Sequence, residues 1–143
     1  MDKVFRWAAV LFGVALLLHG ADHLRRGMAV TPRAVMVAGM IQMVLAAVTV
    51  VLVFTASRWA PHAAIAVGFA GAAGFTAAHL LPTWGLFSDS FIHAAPEARI
   101  TTFSWVTAVL EIAADIAFGV VGIAVLQARN TTRGAERLNR KMD

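Results

Sequence analysis

Four long apolar runs alternate with short polar breaks along this chain. The first covers residues 4–24 and begins beside Lys3 and Arg6. Arg25, Arg26, Gly27, Thr31, Pro32 and Arg33 interrupt it, and the second run, residues 34–57, carries no charge. Arg58, Trp59, Ala60 and Pro61 punctuate the chain again before a third run, residues 62–82, closes at Pro82. Residues 83–102 are mixed, with Trp84, Phe87, Phe91 and Ile92 set among Ser88, Asp89, Ser90, His93, Pro96, Glu97 and Arg99. The fourth run, residues 103–127, is broken only by Glu111 and Asp115, and residues 128–143 are polar and basic.

A helix needs about 20 apolar residues to cross the hydrocarbon core of a bilayer, so each run is long enough for one crossing. The pattern predicts an all-α integral membrane four-helix bundle with up-down topology, followed by a solvated helical tail. The mixed segment is too long for a simple turn, and it predicts a short amphipathic piece lying over one end of the bundle.

Composition narrows the classes further. With 143 residues, 59% hydrophobic and only 14% charged, and a mean hydropathy of +0.74, the chain is too apolar for a soluble domain. Four spans leave no room for a separate soluble catalytic domain. The absence of cysteine excludes disulfides, thiolate zinc sites, iron–sulfur clusters and covalent haem attachment. The first run has the length of a secretory signal, yet it continues through His19, Asp22 and His23. Cleavage after Ala21 would put His19 where a small residue belongs, so this helix is expected to be retained. The net charge of +4 resides at the ends of the apolar runs, with no basic face interleaved with aromatics. Lipid headgroups, not nucleic acid, are the expected counter-ions.

Charge asymmetry predicts the orientation. With both termini cytoplasmic, that side collects Lys3, Arg6, Arg58, Arg129, Arg133, Arg137, Arg140 and Lys141, against Arg25, Arg26, Arg33 and Arg99 on the other. This satisfies the positive-inside rule and identifies a multi-pass protein of the cell membrane. Trp7 and Trp59 then fall at the inner interface and Trp84 and Trp105 at the outer one.

Ionisable side chains inside the spans require a reason, because each costs about 2.5 to 3.5 kcal/mol at the bilayer centre on insertion scales. The first span contributes His19, Asp22 and His23, the second Gln42, the third His79, and the fourth Glu111 and Asp115. In the orientation above, all four helices send a polar group toward the outer half. His19 and His23 share a helix face at i,i+4, as do Glu111 and Asp115. The Glu111 stripe continues through Ser104, Thr107 and Gly122, and the Gln42 stripe through Ala46 and Thr49, so both faces are expected to look inward.

Three uses fit this set. Neutral imidazoles of His19, His23 and His79 with Glu111 form a candidate site for Zn, Cu or Fe, with Asp115 as proton acceptor or supporting partner. Alternatively, His79 with His19 or His23 would ligate haem b from two helices. In the third use a carboxyl accepts protons beside a quinone-like headgroup held by a histidine. Each residue also has a purely structural reading: Asp22 and Arg26 pair at i,i+4 on the wet end of the first helix, and Glu111 and Asp115 tie helices together. The small residues of the third span, Gly68, Gly71, Ala72, Ala73, Gly74 and Ala78, are read as packing surface, and His62 and His93 as interface and loop residues.

Leu17-Leu18-His19-Gly20 at the end of the first span, and Gly39-Met40-Ile41-Gln42 with Ala46 in the second, resemble the corresponding places in the DoxX-like group of small four-helix membrane proteins. The resemblance covers about the first 60 residues, and Asp22 and His23 stand where that group often carries a basic residue. It implies association with membrane oxidoreductase complexes and quinone-linked chemistry, hence a redox role for His19 and a cofactor contact for Gln42. It implies nothing for His79, Glu111 or Asp115. The expected function is therefore a metal-binding membrane redox component, with haem or quinone as variants, in a homo-oligomer or larger complex. The competing expectation is a non-catalytic accessory subunit whose polar layer only specifies helix pairing.

Overall fold

The computed structural model describes residues 2–140, and these form helices and connecting loops with no strand among them. Helix α1 spans Asp2–Arg26, α2 Arg33–Phe54, α3 Ala60–Phe75 and α4 Thr102–Asn139. A π-helical turn, Thr76–Leu80, prolongs α3, and a single 3-10 turn, Pro96–Ala98, lies in the loop before α4. All four helices, α3 taken together with its π turn as Ala60–Leu80, are long and apolar enough to cross a membrane.

Local chemistry sets most of the boundaries. Gly27, at φ +96°, turns the chain out of α1 while its N–H still reaches the His23 carbonyl at 3.0 Å; a side chain is strained at that φ. The second run stops at Phe54 instead of residue 57 because the following residues form a C-terminal cap. Ala56 adopts φ +53°, and the Ser57 N–H returns to the Leu52 carbonyl at 2.9 Å, closing the last turn in the Schellman manner. Pro61 fits the first turn of α3, where its missing N–H costs nothing. At the other end Leu81 turns extended ahead of Pro82. Nothing ends α4 at residue 127. The helix continues through the basic stretch to Asn139, so the tail is a direct extension of the last span. Lys141, counted in the charge asymmetry, lies outside the described residues.

Packing divides the helices unequally. The α3–α4 contact is the most extensive, α1 also lies along α4, and α2 touches α1 and α3 more sparsely. Close backbone approach explains the first of these: a Cβ on Gly68 would stand 2.5 Å from the Asp115 carbonyl oxygen, and one on Gly122 3.0 Å from that of Pro61. Gly68 thus serves packing as expected, whereas Gly74 meets nothing within 4 Å. One half of the bundle is filled by apolar side chains. Phe12 stacks on Phe118 with centroids 4.6 Å apart, Phe5 joins at 5.9 Å, and Ala9, Ala46, Ala60, Ala64 and Val67 close around them.

The other end is polar and capped by the loop. Residues 83–101 run mostly irregularly, because Pro82, Gly85 and Pro96 interrupt the chain and its backbone bonds to the end of α3. The Asp89 N–H donates to Ala78 O and the Phe91 N–H to His79 O, both at 2.9 Å. Phe91 plugs inward while Trp84, Leu86 and Phe87 stay exposed.

Candidate metal centre

His19 and His23 lie one turn apart on α1, and the π turn after α3 brings His79 against them. A π turn is rare and frequent at functional sites; here it supplies the third imidazole. Nε2 of His19 is 3.2 Å from Nε2 of His79 and 3.1 Å from Nε2 of His23. One nitrogen from each ring falls in a group whose members all lie within 4.8 Å of one another. Phe75 packs edge-on to His19, and Phe91 lies against His79 at 4.6 Å between centroids.

The outward nitrogens indicate the ring states. His79 Nδ1 is 3.1 Å from the Asp89 carbonyl oxygen; a carbonyl only accepts, so this nitrogen carries the hydrogen and Nε2 keeps its lone pair. His23 Nδ1 is 3.1 Å from Thr31 Oγ1, and His19 Nδ1 faces Glu111 Oε2 at 3.7 Å. Each ring therefore has an oxygen behind it and its Nε2 in front. His19 Nε2 has two nitrogen neighbours but a single in-plane position, either one hydrogen or one lone pair. It can make only one of these contacts well as a hydrogen bond. A cation between the rings would serve all three: with bonds of about 2.0 to 2.1 Å, the ligand nitrogens around a tetrahedral ion stand about 3.3 Å apart, close to the two separations from His19, the third pair lying within 4.8 Å.

A second layer surrounds the imidazoles. Arg26 is fully buried and grips Asp89 with two bonds of 2.7 and 2.8 Å, while its Nε donates to Ala98 O at 2.9 Å. Its guanidinium also lies over the Phe91 ring, 5.5 Å from the centroid. The Asp89 carboxylate is 3.7 Å from His79 Nδ1 and 4.0 Å from His23 Nδ1, so one loop residue, itself held by Arg26, backs two rings. Asp22 belongs to a neighbouring cluster. Arg25 donates to Asp22 Oδ1 at 2.8 and 3.0 Å, and the Ser104 hydroxyl donates to the same oxygen at 3.0 Å. The expected Asp22–Arg26 pair is thus replaced by Asp22–Arg25 and Arg26–Asp89. Asp22 and Arg26 are buried, not at a wet helix end.

The structure brings His19, His23 and His79 together and sets the other expected site residues apart from their Nε2 atoms. Glu111 stands behind His19, on the Nδ1 side. Asp115 lies one turn further along α4, against Gly71. Both carboxyls are fully buried, and none of their four oxygens has a hydrogen-bond partner among the described residues. Gln42 reaches toward the same glycine from α2, its Nε2 donating to Val67 O at 3.4 Å.

Asp89, Arg26 and Thr31 were not singled out as site residues in the sequence. Arg26 follows His19 by seven residues and His23 by three, so it shares their helix face; that spacing was the available signal. A cavity of about 490 Å³ between α1, α2 and α3 is bordered by all three histidines at one end and by Gln42 and Gly71 further in. No family model, curated protein or solved structure matches the chain.

Proposed function

We propose that this multi-pass membrane protein binds one metal ion through Nε2 of His19, His23 and His79. The observation that carries this reading is the convergence of three imidazole nitrogens, with His19 Nε2 3.1 and 3.2 Å from the other two, while His23 and His79 are each held by an oxygen at Nδ1. That is the arrangement by which proteins orient metal-binding histidines. Three neutral imidazoles suit Zn, Cu or Fe. Glu111 stands behind His19 with its nearer oxygen 3.7 Å from Nδ1, and Asp115 lies a turn further along α4.

The same convergence favours a bare ion over haem b. Axial ligands of a haem face each other across the macrocycle, whereas these rings touch and a third crowds the same point. The cavity beside the histidines leaves a coordination position open, as catalytic and redox metal sites do. That opening, together with the DoxX-like segments around His19 and Gln42, supports a role as a membrane redox component. Both termini are assigned to the cytoplasm and the metal centre to the outer half, in line with the distribution of basic residues.

The test is elemental mass spectrometry on protein purified without chelators, with His19→Ala and His79→Ala alongside. About one Zn, Cu or Fe per chain is expected, and loss of that metal from both variants with helicity retained. Metal at background, or metal unchanged in the variants, would sink the proposal. A zinc-only result would keep the site and remove the redox role.

A further inference from the structure

The cavity between α1, α2 and α3 meets the histidines on their metal-binding side. His79 turns Nδ1 to the Asp89 carbonyl of the loop, and His19 turns Nδ1 to Glu111 of α4. Neither that loop nor α4 supplies a described residue to the cavity border, so these two rings meet the cavity with the edge that carries Nε2. His19 and His79 are buried, whereas His23 keeps 19% of its side chain exposed and borders the cavity between Gly20 and Leu24. An ion held by the three Nε2 atoms is therefore reached from the cavity, past His23. The other sides are closed: Phe91 packs on His79, Arg26 ties down Asp89, and Glu111 stands behind His19. Three imidazoles leave a tetrahedral ion one further position for an incoming group.

The walls state what kind of molecule brings that group. The cavity volume, about 490 Å³, lies within the range of small-molecule sites. Two glycines of its border show free space beside them, since a Cβ on Gly39 or Gly74 meets nothing within 4 Å beyond its own stretch of helix. Besides the histidines, the polar side chains of the border are Thr31, which bonds to His23 Nδ1, and Gln42, which donates to Val67 O. The remaining wall is apolar. Leu17, Leu24 and Met40 border the cavity and are exposed on the outside of the helices, where α1 and α2 touch only sparsely, so the opening faces lipid. Gly71 and His79 both border it, eight residues apart on α3 and its π turn, about 12 Å at 1.5 Å per residue. An extended alkyl chain fits along that length.

We infer that the metal centre takes its ligand from the bilayer: an apolar molecule with a lone-pair donor at one end, the donor on the open position of the ion and the apolar body in the cavity along α3. Nitrogen, oxygen and sulfur donors all ligate Zn, Cu or Fe, so the class is defined by the apolar body and the route of entry. This inference rests on the metal reading, and its test separates the two.

The probe is 1-decylimidazole, with 1-methylimidazole as the same donor without the chain. Both are titrated into protein in lipid nanodiscs loaded with Co²⁺, whose visible bands report the donors around it, and His79→Ala is loaded in parallel. The bands of the parent are expected to shift saturably with 1-decylimidazole. Gly39→Leu and Gly74→Leu fill the cavity without replacing a histidine, and the pair keeps the test open should one of them fail to fold. Each is expected to weaken the response to 1-decylimidazole at least about tenfold and to leave the response to 1-methylimidazole as in the parent. Partitioning into the discs is the same for parent and variants, so the difference isolates the cavity. Co²⁺ that does not bind, or binds equally to His79→Ala, sinks the metal centre itself. With Co²⁺ held by the histidines, three outcomes overturn this inference alone: bands that 1-decylimidazole does not move, a response unchanged in both glycine variants, or one weakened equally for the two imidazoles.

Discussion

The two ends of this bundle are built on different physics. Around Phe5, Phe12 and Phe118, side chains stack and small residues let the backbones of α3 and α4 approach. Around His19, His79 and Asp89, buried side chains are charged or polar and bond across the chain to a loop. In a bilayer, apolar residues gain little by facing inward instead of outward, so the first end is stabilised by shape and dispersion. Every ionisable residue at the second end raises the cost of insertion. Arg26, Asp22, Asp89 and the three histidines instead bond across elements, Arg26 to Asp89 and Ser104 to Asp22. Apolar packing holds the helices at one end, and at the other, buried polar side chains tie them to the loop.

Breaking the polar end gives the largest expected effect. Arg26→Ala leaves the Asp89 carboxylate buried beside two histidines without its partner, and loss of one member of a buried ion pair costs about 3 to 5 kcal/mol. The loop also loses the bond to Ala98 O and the contact over Phe91. Stability against unfolding in detergent and metal content are both expected to fall. Adding Asp89→Ala to Arg26→Ala removes the stranded charge and recovers about half of the stability without restoring metal. If the double variant is no more stable than the single one, the ion pair is not what holds the loop down.

Phe118→Ala sharpens the comparison from the opposite side. It removes the ring that both Phe5 and Phe12 contact and leaves a cavity in the apolar half. The loss is about 3 kcal/mol, at the low end of the range for large-to-small changes in soluble cores, because lipid removes the water-transfer part of the cost. Metal per folded chain is expected to stay as in the parent. A variant that loses metal in proportion to stability would show that the two ends are coupled.

The difference between the ends also explains what was legible in the sequence. Spans are written in runs of apolar residues, and a histidine or carboxyl inside a run stands out against it, so the four helices and the candidates His19, His23 and His79 could be read directly. Pairing across the chain could not. Asp89 lies in a loop of mixed composition, and nothing local distinguishes it from Asp22 as a partner for Arg26; only the fold brings residues 26 and 89 together. The π turn was hidden as well, since Thr76-Ala77-Ala78-His79-Leu80 carries no signal separating a wide turn from an α-helical one. The helical tail after the last span, by contrast, was legible. Polarity rises after Gln127, but Ala, Arg and Gln are good helix formers and neither Gly nor Pro occurs before Gly134, so the helix continues where the membrane expectation stops.

The smallest change tests whether the polar end is tuned as well as assembled. Thr31→Val keeps the shape of a buried side chain and removes the hydroxyl oxygen behind His23 Nδ1. Stability should move by less than about 1.5 kcal/mol, the scale of one lost hydrogen bond. The His23 ring, however, would keep no hydrogen-bond partner at Nδ1, and the Asp89 carboxylate 4.0 Å away is beyond that distance. Loss of such an outer partner typically lowers metal affinity by about 10-fold to 100-fold, so competition against a chelator of known strength should show a drop of that order. Thr31→Ser, which retains the oxygen, is expected to recover most of it. If both variants bind metal as the parent does, His23 contributes little to the coordination, and the centre would rest on His19 and His79 alone.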